Sequence, residues 1–136
     1  MFQVSHEKKL IIKKVKEIER FSIKARGKSF KYAFEGIEIF FRSQHNAFLH
    51  LLATIIVILM AIVFNVSKIE MAILLLVAGF VWTAELFNTA IEKIMDFISK
   101  ERHPEIKFIK DISAAAVLIS AIVSLITGAI IFIPKL

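Results

Sequence analysis

Three long apolar runs interrupt this chain, at about residues 46–64, 70–95 and 112–133, and each reaches the roughly 20 residues that a helix needs to cross a bilayer. The first contains Leu49-His50-Leu51-Leu52-Ala53 and Ile55-Ile56-Val57-Ile58-Leu59-Met60, and stops near Asn65. Asn65-Val66-Ser67-Lys68 then supplies turn chemistry, and so short a turn makes the first two spans antiparallel. The second run begins around Met71, and the third runs from Ile112 to Ile133, where Pro134 cannot continue a helix. Ahead of the first run the pattern is amphipathic. Ile11, Ile12, Val15 and Ile18 recur near helical spacing among lysines and glutamates, which predicts a surface helix. Residues Phe30 to Arg42 interleave aromatics with charges and suit the headgroup layer, although a flap packed on the mouth of the bundle has the same pattern. The expected fold is an all-α membrane protein of three transmembrane helices plus an N-terminal amphipathic interfacial helix.

Composition agrees with this pattern and narrows the function classes. Hydrophobic residues make up 57% of the chain, with a mean hydropathy of +0.73, too apolar for an ordinary soluble domain. The net charge of +6 does not point to nucleic acid, because the basic residues cluster outside the apolar runs, where they set membrane topology. Residues 1–45 hold eleven Lys/Arg against five Glu, and Lys100, Arg102, Lys107 and Lys110 follow the second span. The turn between the first two spans holds only Lys68, and the C-terminus only Lys135. The N-terminus and second loop are therefore expected on the cytoplasmic side of an inner (plasma) membrane. With no cysteine, thiol catalysis and cysteine metal sites are excluded. No short apolar stretch with a small-residue cleavage site follows Lys8, Lys9, Lys13, Lys14 and Lys16, so the chain is expected to be used whole.

The chemistry concentrates on the second span. At 100° per residue, Glu85, Asn88, Glu92 and Asp96 fall within an arc of about 80°, one polar stripe on an otherwise apolar helix. A carboxylate at mid-membrane costs about 2.5–3.5 kcal/mol on insertion scales, so Glu85 is expected to be functional. The stripe descends about 10 Å from Glu85 to Glu92 and on toward the boundary near Asp96. Such a site suits a water-soluble phosphate donor meeting a lipid hydroxyl: outer carboxylates hold Mg²⁺ against nucleotide phosphates, and the deep one takes the alcohol's proton. Pairing that only fixes helix packing, or an ion pathway, uses the same residue types.

Further candidates flank the stripe. His103, Lys107 and Lys110 could neutralise nucleotide phosphates, or serve only as topology determinants. Ala116, Ser120, Ser124 and Gly128 recur every four residues and predict a close-packing ridge. Gln44, Asn46 and His50 lie near the start of the first span, where they join the polar site or sit solvated at headgroup level.

Glu85-Leu86-Phe87-Asn88-Thr89-Ala90-Ile91-Glu92, then Asp96, then Lys110-Asp111 and Ser113-Ala114-Ala115-Ala116-Val117 form a pattern that resembles the small bacterial diacylglycerol kinase and undecaprenol kinase family. The resemblance runs from Lys28-Ser29-Phe30 through Gly36 and Asn46 to the end, leaving residues 1–27 as a basic extension to a kinase domain at 28–136. His103-Pro104 and the closing Ile131-Phe132-Ile133-Pro134-Lys135-Leu136 look like the Gram-positive branch, which prefers undecaprenol. The resemblance implies a homotrimer with shared active sites, ATP and Mg²⁺ at the cytoplasmic face, and a lipid alcohol substrate. It implies Glu85 as catalytic base with Asn88 supporting it, Glu92 as metal and nucleotide ligand, and Asp96, His103, Lys110 and Asp111 around the nucleotide. One departure stands out: Gln44 occupies the place of the family's second metal-binding glutamate, where its amide oxygen can ligate without charge, so a raised Mg²⁺ requirement is expected. Diacylglycerol as acceptor, and an impaired relative acting as a membrane assembly module, are the alternatives within this resemblance.

Overall fold

The structure is a computed structural model that describes residues 23–136. Among them there are four α-helices and no strand: α1 (Ile23–Ser43), α2 (His45–Val63), α3 (Lys68–Ile98) and α4 (Pro104–Phe132), closed by a 3₁₀ turn at Ile133–Lys135. The chain divides into two units, residues 1–37 and 38–136, with the break inside α1. The surface helix expected over residues 11–18 lies outside the described residues. In the first unit the described side chains are exposed, and Lys31 pairs with Glu35 one turn along at 3.7 Å.

The second unit holds the three long helices, α2, α3 and α4, each long and apolar enough to cross a membrane. Only 11–17% of the most apolar window of each is buried, with Leu76, Phe97 and Leu125 among the side chains left outside. That inverts the rule for a soluble bundle, whose helices turn their apolar faces inward, and it defines an integral membrane protein. Helix α3 packs chiefly on α4, and α2 on α3 in fewer places.

Local chemistry sets the element boundaries. Helix α2 gives way at Phe64–Ser67, where Asn65 takes φ 49°, a left-handed conformation that asparagine tolerates better than most residues. Ser67 then caps α3 with a complete capping box: its hydroxyl accepts from the Glu70 N–H at 3.2 Å, and Glu70 accepts from the Ser67 N–H at 2.6 Å. At this end Ala61, Leu74, Ile131 and Phe132 form the buried apolar core, and Lys135 reaches Glu70 at 3.1 Å.

Two expectations change. The third helix starts at Pro104, not near residue 112, because His103 caps it, Pro104 fits the first helical turn and Glu105 complements the dipole. Its first two turns interleave charges with Ile106, Phe108 and Ile109, so an apolar run does not reveal them. Lys107, Lys110 and Asp111 accordingly sit on α4, and the link between α3 and α4 is only residues 99–103. The four-residue ridge packs over three of its four positions. Each step of four gains about 40° around the helix, so Ser120 is buried, Ser124 and Gly128 are half-buried, and Ala116 is exposed.

Candidate active site

Glu85 is 2% exposed, midway along α3 in a part of the chain that no water is expected to reach. Among the described residues the one basic side chain within ion-pair reach is His50, whose Nε2 lies 4.0 Å from Oε2 of Glu85. Hydrogen bonds fix the helix turn that carries His50. Thr54 donates its hydroxyl to the His50 carbonyl at 2.7 Å, and Trp82 Nε1 donates to the same Thr54 oxygen at 3.0 Å. That chain ties α2 to α3 and seats the His50 ring 6.2 Å from the indole. Phe40, 3% exposed, and Phe41 close on Trp82 at 6.2 and 5.6 Å, aromatic pairs worth about 0.5–1.5 kcal/mol each beyond their burial.

Below Glu85 a hydrogen-bonded chain crosses between α3 and α4. Asn88 donates through Nδ2 to Oε1 of Glu92 at 3.2 Å, while its Oδ1 faces the Ser113 hydroxyl at 2.7 Å. Ser113 has one proton, which can go to Asn88 or to the Lys110 carbonyl at 2.9 Å. Lys110 returns to α3 by pairing with Asp96 at 2.5 Å. The network therefore runs Glu92, Asn88, Ser113, Lys110, Asp96, and crosses between the two helices twice. Asp96 is exposed and Glu92 half-buried, so polarity and access both increase away from Glu85.

The sequence-selected residues thus fall into distinct places. Glu92, Asn88, Lys110 and Asp96 come together, while Glu85 meets His50 one helix away. Asp111 pairs with Lys107 along α4, and His103 uses Nδ1 to accept from the Glu105 N–H at 3.2 Å as the cap of α4. Gln44 is the half-buried first residue before α2, and its side chain makes no cap bond. Its backbone N–H bonds the Phe40 carbonyl at 3.0 Å.

Ser113 and Thr89 join the site although neither is a carboxylate of the stripe. Thr89 shares the stripe, about 40° round from Glu85, so the same angular count picks it out once hydroxyls are included with carboxylates. Ser113 carries no such signal, since only the pairing of α3 with α4 brings it to Asn88.

A groove of about 470 Å³ opens between α2, α3 and α4, from His50 and Trp82 along Val57, Leu74 and Gly128 to Phe132. Its walls are almost wholly apolar, and its polar head is the imidazole that faces Glu85. The arrangement can hold a long hydrocarbon chain with its polar head next to a buried carboxylate.

Three membrane-crossing helices with a carboxylate network inside them define a polytopic membrane protein built around an internal polar site. Residues 31–132 match the family described as prokaryotic diacylglycerol kinase, and the chain belongs to that family of lipid kinases. It is 39% identical over 109 residues to an undecaprenol kinase of Bacillus subtilis, covering 80% of this chain and 89% of the relative. A diacylglycerol kinase of Synechocystis is 35% identical over 109 residues, covering 79% of this chain and 62% of that protein. A diacylglycerol kinase of Pseudomonas aeruginosa is 32% identical over 102 residues, covering 75% and 83%.

Proposed function

We propose that this chain transfers the γ-phosphoryl group of ATP to the hydroxyl of undecaprenol, giving undecaprenyl phosphate and ADP. The observation that carries the proposal is Glu85, a carboxylate 2% exposed within a membrane helix, 4.0 Å from the His50 imidazole that heads an apolar groove and one turn above a polar network. The undecaprenol kinase relative, at 39% identity, supports the choice of acceptor.

In this mechanism the lipid's hydrocarbon lies along the groove and its alcohol reaches Glu85. The carboxylate takes the alcohol proton while the alcohol oxygen forms its bond to the γ-phosphorus. The bond from that phosphorus to the β–γ bridging oxygen breaks, and ADP leaves with the electron pair. Such a transfer depends on positioning and on neutralising phosphate charge. Asn88, braced by Ser113, keeps Glu92 oriented. Lys110, Asp96, Asp111 and His103 supply the polar surroundings of the nucleotide at the exposed end.

Carboxylate oxygens are the donors that Mg²⁺ prefers, and it commonly takes only one or two from protein when nucleotide phosphates complete its shell. Among the described residues no cluster of three His, Cys, Asp or Glu gathers; the donor chemistry that supports the ion is Glu92, half-buried with one oxygen oriented by Asn88. Glu92 would hold the ion with Gln44 as a neutral second donor, and when bound the ion neutralises charge on the transferring phosphate.

The second reading keeps the chemistry and takes diacylglycerol, which the family description and the Synechocystis and Pseudomonas relatives favour. Assembly as a homotrimer, and an orientation with residues 1–45 and the 99–103 link in the cytoplasm, belong to the same proposal. The excess of six positive charges in residues 1–45 supports that orientation. Purified protein given γ-labelled ATP, Mg²⁺ and each lipid in turn should label undecaprenol faster than diacylglycerol. Label on neither lipid would end the proposal, and faster labelling of diacylglycerol would replace the first acceptor with the second.

A further inference from the structure

The chain has four threonines, all within described helices, and three of them behave alike. Thr54, Thr83 and Thr127 each return their hydroxyl proton to the carbonyl four residues earlier, at 2.7, 2.9 and 2.8 Å. That is the ordinary way for a hydroxyl to be satisfied inside a membrane helix. Thr89 is the exception. It is 9% exposed, and its Oγ1 is buried with no hydrogen-bond partner among the described residues. A buried hydroxyl without a partner is destabilising, and a valine of nearly the same shape would avoid that cost.

Its position suggests what the free hydroxyl serves. Along α3, Thr89 stands about 6 Å beyond Glu85 and about 4.5 Å short of Glu92, on the same face as both. In the reading proposed above, on which this inference rests, the alcohol meets Glu85 and the nucleotide phosphates meet Glu92. The transferring group must cross the interval between them, at the level of Thr89. Asn88 lies at that level too, but its amide is engaged on both sides, by Glu92 and by Ser113. Thr89 is uncommitted. Glu85, one turn away on the same face, is covered to a similar degree.

We infer that Thr89 is a further catalytic residue, whose hydroxyl donates a hydrogen bond to an oxygen of the γ-phosphoryl group as it passes from ATP to the lipid. The bond forms only when the phosphoryl group is in transit, which explains a donor left unsatisfied at rest. It acts as an oxyanion donor, and removal of one such donor typically costs about 100-fold in kcat.

The test compares Thr89→Val, Thr89→Ala and Thr89→Ser with Glu85→Gln in the full chain, reading kcat, the KM values for ATP and lipid, and the melting temperature in detergent. Thr89→Val should lose about 100-fold in kcat with little change in either KM, while melting at or above the wild-type temperature. Thr89→Ser should stay within about threefold of wild type, since the donor is kept and only a methyl is lost. If the valine variant unfolds, the alanine variant carries the same comparison. Wild-type kcat in Thr89→Val or Thr89→Ala, with Glu85→Gln inactive, overturns the inference and leaves the proposed function standing. Equal losses in Thr89→Ser and Thr89→Val, with lower melting temperatures in both, overturn it in favour of packing. An active Glu85→Gln overturns the proposed function itself.

Discussion

Helix α3 carries a carboxylate near each end of its apolar stretch, and the structure treats the two in opposite ways. Glu70, in the first turn, uses both oxygens: one accepts from the Ser67 N–H at 2.6 Å and the other faces Lys135 at 3.1 Å. It completes a helix cap and ties the C-terminal turn to α3. Glu85 is far more deeply buried, and among the described residues its nearest charge partner is an imidazole 4.0 Å away. A carboxylate whose bonding capacity is filled has a structural role. One that is buried and underused has capacity left over, which the proposed function assigns to the substrate, and the membrane makes that contrast sharper, because an unmet charge costs more there.

The largest test of this contrast exchanges the two acids for their amides. Glu85→Gln should lower turnover about 10³-fold while leaving the melting temperature equal or higher, since the amide removes a buried charge without changing shape. Glu70→Gln should do the reverse: turnover within about twofold, melting temperature reduced, because the cap and the Lys135 pair both lose their acceptor charge. Steady-state labelling and thermal unfolding of the two variants decide it. Loss of activity with Glu70→Gln and retention with Glu85→Gln would invert the assignment.

A smaller effect is expected where the site depends on bracing. Ser113→Ala removes the hydroxyl 2.7 Å from Asn88 Oδ1, so with its proton given to Asn88 rather than to the Lys110 carbonyl, the amide loses a brace and Glu92 a steady partner. Partners that orient a metal ligand typically matter about 10–100-fold, and Ser113→Ala should fall near the lower end. The loss should appear mainly in the Mg²⁺ and nucleotide dependence. A change in lipid KM alone would place Ser113 at the groove rather than behind Glu92.

These two regions also differ in how far the sequence disclosed them. The three helices and the stripe from Glu85 to Asp96 were legible, because a run of some 20 apolar residues has one use and a carboxylate inside it stands out at 100° per residue. The first turns of α4 were not, since Glu105 to Asp111 read as a charged loop until His103 and Pro104 are seen to cap and start a helix. Ser113 belongs to the family pattern, but its partner was not legible: a serine followed by Ala114, Ala115 and Ala116 reads as small-residue packing, and only the α3–α4 contact brings its hydroxyl to Asn88. His50 was ambiguous at headgroup depth until α2 brought it to Glu85. Thr89 was legible in angle but not in state, because nothing in a sequence says that one threonine of four will fail to bond its own helix.

At the structural end, Ser67→Ala should cost about 1 kcal/mol, the usual worth of an N-cap hydroxyl, with no change in turnover. Denaturation in mixed micelles measures the first part, and labelling at saturating substrates the second. A fall in turnover would mean that the turn at Phe64–Ser67 communicates with the site, and the clean separation of the two ends of α3 would be lost.

The finest expected effect concerns Gln44, just ahead of α2. Its side chain makes no cap bond, so the amide is not committed to the helix it precedes. In the proposed site it is a neutral donor to Mg²⁺, and a neutral oxygen gives less electrostatic attraction than a carboxylate in the same position. Gln44→Glu should lower the Mg²⁺ concentration for half-maximal activity by about threefold or more, since even half a pKa-sized unit of interaction, about 0.7 kcal/mol, corresponds to that ratio. The added charge also stands at the N-terminus of α2, where the helix dipole favours it, so the variant should fold at least as well as wild type. Melting therefore controls for folding, and the Mg²⁺ titration reports the site. Superimposable titrations would take Gln44 away from the ion and leave Glu92 as the sole proposed ligand from this chain.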